Sequence, residues 1–71
     1  MTELGLYLAK KSVNKSEISR RTGISKSRLS ELSLNGTARM RADELYLIAL
    51  AIDADPGEVL NTLFKNIKLK N

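Results

Sequence analysis

The 71 residues include no cysteine, no histidine and no tryptophan, one proline and three aromatic side chains in all. Without cysteine there is no disulfide to staple so short a chain. Without either cysteine or histidine, the usual zinc clusters lack ligands. There is also no glycine-rich loop of nucleotide-binding spacing. The closely spaced carboxylate pairs, Asp43 with Glu44 and Asp53 with Asp55, fall at helix ends, where capping accounts for them. No catalytic residue, metal or cofactor is therefore expected, and the chain reads as a non-enzyme. Long apolar runs are missing too. The longest, residues 45–52, is far short of the ~20 residues that a membrane span needs. The N-terminus has no basic region followed by an apolar stretch, so no secretory signal is visible, and a soluble cytoplasmic protein is expected. This length makes one domain, over residues 1–71. A core of that size is marginal, and with disulfides and metals excluded, packing and a second subunit remain to support it.

Positive charge is plentiful, and it is unevenly placed. Residues 10–41 hold nine basic side chains against two acidic ones, Glu17 and Glu31, a net +7. Residues 42–71 hold three basic against five acidic, a net −2. A basic segment on an otherwise slightly acidic chain is the electrostatic footprint of a surface for a polyanion, although a merely solvated basic face has the same composition. The helix pattern must decide between them.

Apolar residues at spacings of three and four argue for an all-α domain of five helices. Thr2 can cap a first helix over residues 3–11, with Leu4, Tyr7, Leu8 and Lys11 on one stripe; Gly5 should weaken it, by about 1 kcal/mol relative to alanine. Asn14 followed by Glu17 resembles a capping box, opening a second helix that runs to about Thr22, buries Ile18 and stops at Gly23. Ser25 is the next cap, and a third helix over residues 26–34 turns Leu29 and Leu32 inward. A basic connection leads to a fourth helix over residues 42–52, whose stripe is Leu45, Ile48, Ala49 and Ile52. Its acidic start, Asp43 and Glu44, suits the positive end of the helix dipole. Asp55-Pro56-Gly57-Glu58 then reads as cap, first-turn proline and capping glutamate. The fifth helix carries Val59, Leu60, Leu63, Phe64 and Ile67, with Leu60, Leu63 and Phe64 expected in the core.

Residues 15–34 carry the functional signal. Two short helices joined by a tight glycine turn have the spacing of a helix-turn-helix. Ile18 anchors the first, and the small Ser19 lets the second approach. Gly23 makes the turn, Ile24 plugs the space beneath it, and Leu29 and Leu32 seat the second helix while its other face stays free. With these residues in place, the chain resembles the lambda repressor and Cro-like (XRE-type) helix-turn-helix family. NKSEISRRTGISKSRLSEL is similar to that family's second and third helices, and ELYLIALAIDADPGEVL to its fourth helix, loop and fifth helix. The resemblance implies a compact five-helix domain, usually dimeric on DNA, acting as a repressor or activator in bacteria or phage. Serine stands at 19, where the family often has alanine, and threonine at 22, where it often has an apolar residue. Ser33-Leu34-Asn35-Gly36 is one residue longer than the family's frequent Glu-Asn-Gly.

Lys26 and Ser27 occupy the first turn of the third helix, the end that usually reaches base edges. Lys26 can donate to guanine O6 or N7, or merely touch phosphate, and Ser27 can donate or accept. Arg28, on the same helix, reaches a base or the backbone. Glu31 lies one turn beyond Ser27. It either accepts from cytosine N4 or is restrained by a salt bridge to Arg28 or Lys26. Lys15 is placed on the DNA backbone by the family resemblance, and its amide belongs to a helix N-terminus that favours phosphate. Ser25, Asn35, Thr37, Arg39 and Arg41 are further candidates for phosphate, against the alternative of a solvated loop. Arg20 and Arg21 are weaker ones.

Beyond residue 60, apolar residues alternate with Lys65, Lys68 and Lys70. A homodimer seam through Leu63, Phe64 and Ile67 would match a palindromic operator. A frayed tail is the bland alternative, and a membrane-surface helix is a poor one, because the segment is short. The leading expectation is sequence-specific recognition of double-stranded DNA by a transcriptional regulator. The rival is a protein-interaction module, antitoxin-like or adaptor, holding a protein partner on the same fold. RNA binding lacks stacking aromatics, since Tyr7, Tyr46 and Phe64 all suit a core.

Overall fold

The computed structural model describes residues 1–70, and among them there are five α-helices and no strand: α1 Glu3–Lys11, α2 Lys15–Thr22, α3 Lys26–Leu34, α4 Ala42–Ala51 and α5 Pro56–Leu63. Local chemistry sets the starts. Oxygens of Thr2, Asn14, Ser25 and Asp55 accept from amides in the first turns of α1, α2, α3 and α5, satisfying donors that a helix cannot pair internally. The reach-back of a capping box occurs elsewhere than expected. Glu17 turns sideways to pair with Arg20, whereas Glu44 accepts from the Arg41 amide at 2.8 Å at the start of α4. Gly23 ends α2 with φ 82°, the left-handed conformation that glycine adopts without penalty.

The helices wrap a single core. α1 packs on α3 and α5, α2 on α3 and α4, and α4 on α5. Ile18, Leu29, Ile48 and Val59 are the largest fully enclosed apolar side chains among the described residues. Leu29, from the middle of α3, has no exposed surface at all. Filling that position with alanine would cost about 2–5 kcal/mol.

The expected core is corrected at Leu60, Phe64 and Tyr46, the last 55% exposed. Leu60 and Phe64 are 48% and 42% exposed. Within α5 the buried positions are Val59 and Leu63, which leaves Leu60 on the outer side, and the helix ends at Leu63, so Phe64 falls beyond it. Gly5 also has a packing use beside its propensity cost. A methyl group there would overlap the Ser33 carbonyl oxygen, so the glycine is what lets α1 lie against the end of α3. Thr2 fixes the same junction. Its amide donates to Ser33 O at 2.9 Å and its hydroxyl to Leu32 O at 2.7 Å, serving carbonyls at the end of α3 that lack helical partners. Among the described residues, no helix is long and apolar enough to cross a membrane.

Candidate nucleic-acid interface

The turn between α2 and α3 is held by its own side chains. The Thr22 hydroxyl donates to Ile18 O at 2.7 Å and accepts from the Ile24 amide at 3.1 Å, so the polar residue at 22 stitches the turn where an apolar one would pack it. Ile24 is half-buried against the core. With Leu29 and Leu32 buried behind it, α3 is seated from the back and presents its opposite side outward.

Lys26 and Ser27 stand exposed in the first turn of that helix. Ser25 is engaged as the cap, its Oγ accepting from the Arg28 amide at 3.1 Å. A helical repeat of 3.6 residues aligns Ser27, Glu31 and Leu34 along one outer stripe. Leu34 is 62% exposed. Sequence reasoning passed over it, although the same periodicity that placed Glu31 beside Ser27 carries the stripe on to Leu34. Lys15 lies toward the other end of α3, sharing a cleft with Ser33 and Leu34.

Arg28 and Glu31 meet. Arg28 Nη1 donates to Glu31 Oε1 at 2.7 Å, so of the two alternatives for Glu31 the structure contains the salt bridge to Arg28. Arg28 goes further. Its Nε and Nη2 donate to the two oxygens of Glu44, at 2.8 and 3.0 Å, and Nη2 also donates to the Arg39 carbonyl at 2.8 Å. Arg28 is thus committed to two carboxylates and a carbonyl; beyond the salt bridge to Glu31, its place in α3 had pointed to a base or the DNA backbone. Bonding to Arg28 holds the Glu44 carboxyl below its ordinary 4.5, with help from the Arg41 amide, and the two carboxylates push the guanidinium pKa up. Sequence reasoning read Glu44 only as an acid serving the start of its own helix, through capping and the dipole. Its partner is sixteen residues away, and no local spacing announces that pair.

The connection between α3 and α4 is partly folded on itself. Asn35 Oδ1 accepts from the Thr37 amide at 2.9 Å and the Thr37 hydroxyl at 2.7 Å, leaving the Asn35 side-chain NH2 to offer outward. Arg41 Nε lies 3.3 Å from Asp43 in an exposed pair, the kind worth little in water. Arg20 is paired with Glu17, and Arg21 donates to Ala51 O at 2.7 Å, closing the end of α4. Lys15, Lys26 and Arg39 belong to none of the ion pairs formed among the described residues. Of the cations outside ion pairs, these three lie on or beside α2 and α3, with Lys26 and Arg39 exposed and Lys15 half-buried.

At the other end of the molecule, Leu63 is 8% exposed and spent in the chain's own core, which removes it from the expected seam, while Phe64 and Ile67 stay on the surface. The outer side of α4 is apolar as well, with Tyr46, Leu47 and Leu50 exposed.

Comparison with curated proteins and with solved structures finds no match. Residues 3–65 match the sequence pattern of the Cro/C1-type HTH DNA-binding domain. That span takes in all five helices, the glycine turn and the exposed first turn of α3. The chain belongs to the Cro/C1-type helix-turn-helix DNA-binding domain family.

Proposed function

We propose that this DNA-binding domain is a sequence-specific transcriptional regulator, a small repressor of bacterial or phage type, that lays α3 in the major groove of double-stranded DNA. The observation that carries this is the exposed Lys26, in no ion pair among the described residues, beside Ser27 in the first turn of a helix clamped from behind by Leu29 and Leu32. In that pose Lys26 and Ser27 address base edges. Lys15, Arg39, Arg41 and the amide of Asn35 hold phosphates on either side and set the register. Ser25 and Thr37 stand next to those phosphates, with their oxygens engaged in the cap and the turn.

A homodimer on a palindromic operator completes the proposal. One short helix reads only a few base pairs, and a two-fold pair doubles the interface. Phe64 and Ile67, exposed just past α5, are the apolar residues proposed for its seam. The competing reading, a module that grips a protein partner, is favoured by Tyr46, Leu47 and Leu50 on the outside of α4.

Fluorescence anisotropy on an arbitrary duplex at two salt concentrations separates them. DNA binding predicts an affinity that falls steeply with salt, each phosphate contact contributing about −0.9 to the log–log slope. No binding at low salt, together with tight capture of a protein, would support the interaction module. In vitro selection from random duplexes then yields the operator and its symmetry.

A further inference from the structure

Arg28 stands third in α3, beside the residues proposed to read bases, yet its guanidinium faces away from that task. A guanidinium carries five N–H donors. Four donor contacts are already made inside the chain: two to Glu44, one to Glu31 and one to the Arg39 carbonyl. A bidentate contact to guanine would have to break part of this set. Glu44, the main partner, is itself fixed, because its Oε1 also accepts from the Arg41 amide. One planar group therefore joins the recognition helix, the start of α4 and the middle of the connection between them. The remaining hydrogen bonds of that connection are local turns, Thr37 to Asn35 and the Ala38 amide to the Asn35 carbonyl at 3.1 Å. Ala38 and Met40 pack against the core on either side of Arg39, and the hydrogen bond from Arg28 to the Arg39 carbonyl is the polar link that ties this middle to α3.

We propose that Arg28 is a positioning residue: it does not touch DNA, and through Glu44 and the Arg39 carbonyl it holds the α3–α4 connection so that Arg39 and Arg41 meet phosphate in register with α3. This rests on the DNA-binding reading above. It also makes Glu44, an acid, a residue that supports binding to a polyanion, which charge alone would never predict.

That sign provides the test. Wild type, Arg28→Met, Glu44→Ala and the double variant are titrated with a selected duplex over a range of salt concentrations, and each is passed through selection from random duplexes. By charge alone Glu44→Ala should bind more tightly. By positioning, each single variant loses roughly tenfold in affinity and about one unit of salt slope, as a phosphate contact is lost. The double variant is then no worse than either single, since both break one junction, and the selected base sequence is unchanged. Arg28→Lys recovers little, because an ammonium lacks the planar fork. Amide hydrogen exchange in the same variants should quicken over residues 36–41 while α3 keeps its protection. That readout separates a displaced connection from a general loss of fold. Glu44→Ala binding as tightly as wild type or tighter, with Arg28→Met losing preference at one base, would make Arg28 a reader and overturn the inference. So would exchange that quickens equally through α3 and α4. A wild-type chain that binds no duplex at low salt defeats the DNA reading itself, whereas a wild-type chain that binds while these variants behave like it defeats only the role given to Arg28.

Discussion

Among the described residues neither Lys26 nor Arg39 has an ion-pair partner, but the two cations sit on different supports. Lys26 stands on the first turn of a helix whose back is locked in the core, while Arg39 stands on a connection outside any helix. A side chain on a rigid helix end can be aimed at one base edge, and one on a loop is suited to the uniform backbone. Lys26→Ala should therefore relax the preference at one base position, at a cost of about 1–3 kcal/mol on the selected site. Arg39→Ala should weaken all duplexes alike and flatten the salt slope by about one unit. Competition binding against single-base operator variants checks both, and Lys26→Ala weakening every site equally would move Lys26 to the phosphate group. Gly5 supplies a prediction about stability. Alanine there gains about 1 kcal/mol of helix propensity but drives a methyl into the Ser33 carbonyl, which also anchors Thr2. Overpacking against backbone of this kind costs roughly 1–3 kcal/mol, and the loss should win. The melting temperature of Gly5→Ala should fall by several degrees, about 4–8 °C for each kcal/mol in a domain this small. A melting temperature at or above wild type would mean that α1 can slide off α3 without cost.

At the scale of the elements, the junction between α3 and α4 is an ionic one, so its contribution depends on pH. Glu44 titrates below its ordinary 4.5 in the folded chain, chiefly because Arg28 bonds its charged form. A carboxyl depressed on folding stabilises the fold above its unfolded pKa, and that stability is lost as pH falls through the folded value. Melting followed by circular dichroism from pH 6 down to about 3 should show a decline that is shallower in Glu44→Gln than in wild type. Parallel curves would mean that the Arg28 junction adds nothing to stability. The helices themselves were largely legible in the sequence, because their signals are local. Thr2, Asn14, Ser25 and Asp55 each cap within three residues, and Gly23 marks its own turn. What sequence reasoning missed depends on residues far along the chain. The use of Gly5 is decided by Ser33, and the orientation of Arg28 by Glu44. Phe64 was misplaced for a different reason. The apolar stripe ran on through residue 67, but the helix stops at Leu63, and beyond a helix end the period no longer says which way a side chain faces.

For the whole molecule, the number of copies in solution should answer to salt. The proposed seam centres on Phe64 and Ile67, and Lys65 and Lys68 flank Ile67 in the sequence. In a two-fold pair each basic group is brought toward its symmetry mate. Apolar contact then drives association against like-charge repulsion, and repulsion between exposed charges is screened by salt, with a Debye length of about 8 Å at physiological ionic strength. Self-association through this seam should tighten as salt rises. DNA binding should weaken over the same range, because it depends on released counterions. Sedimentation equilibrium between low and moderate salt reads the first trend and duplex anisotropy the second. Phe64→Glu with Ile67→Glu should abolish the dimer while leaving the helical circular dichroism intact, since neither side chain belongs to the core. If that double variant keeps the wild-type dimer, the seam lies elsewhere, and the exposed side of α4 around Tyr46 and Leu50 is the surface to substitute next. A dimer that loosens as salt rises would point to an interface held by opposite charges, which residues 64–70, with three lysines and no acid, cannot supply between two copies of themselves.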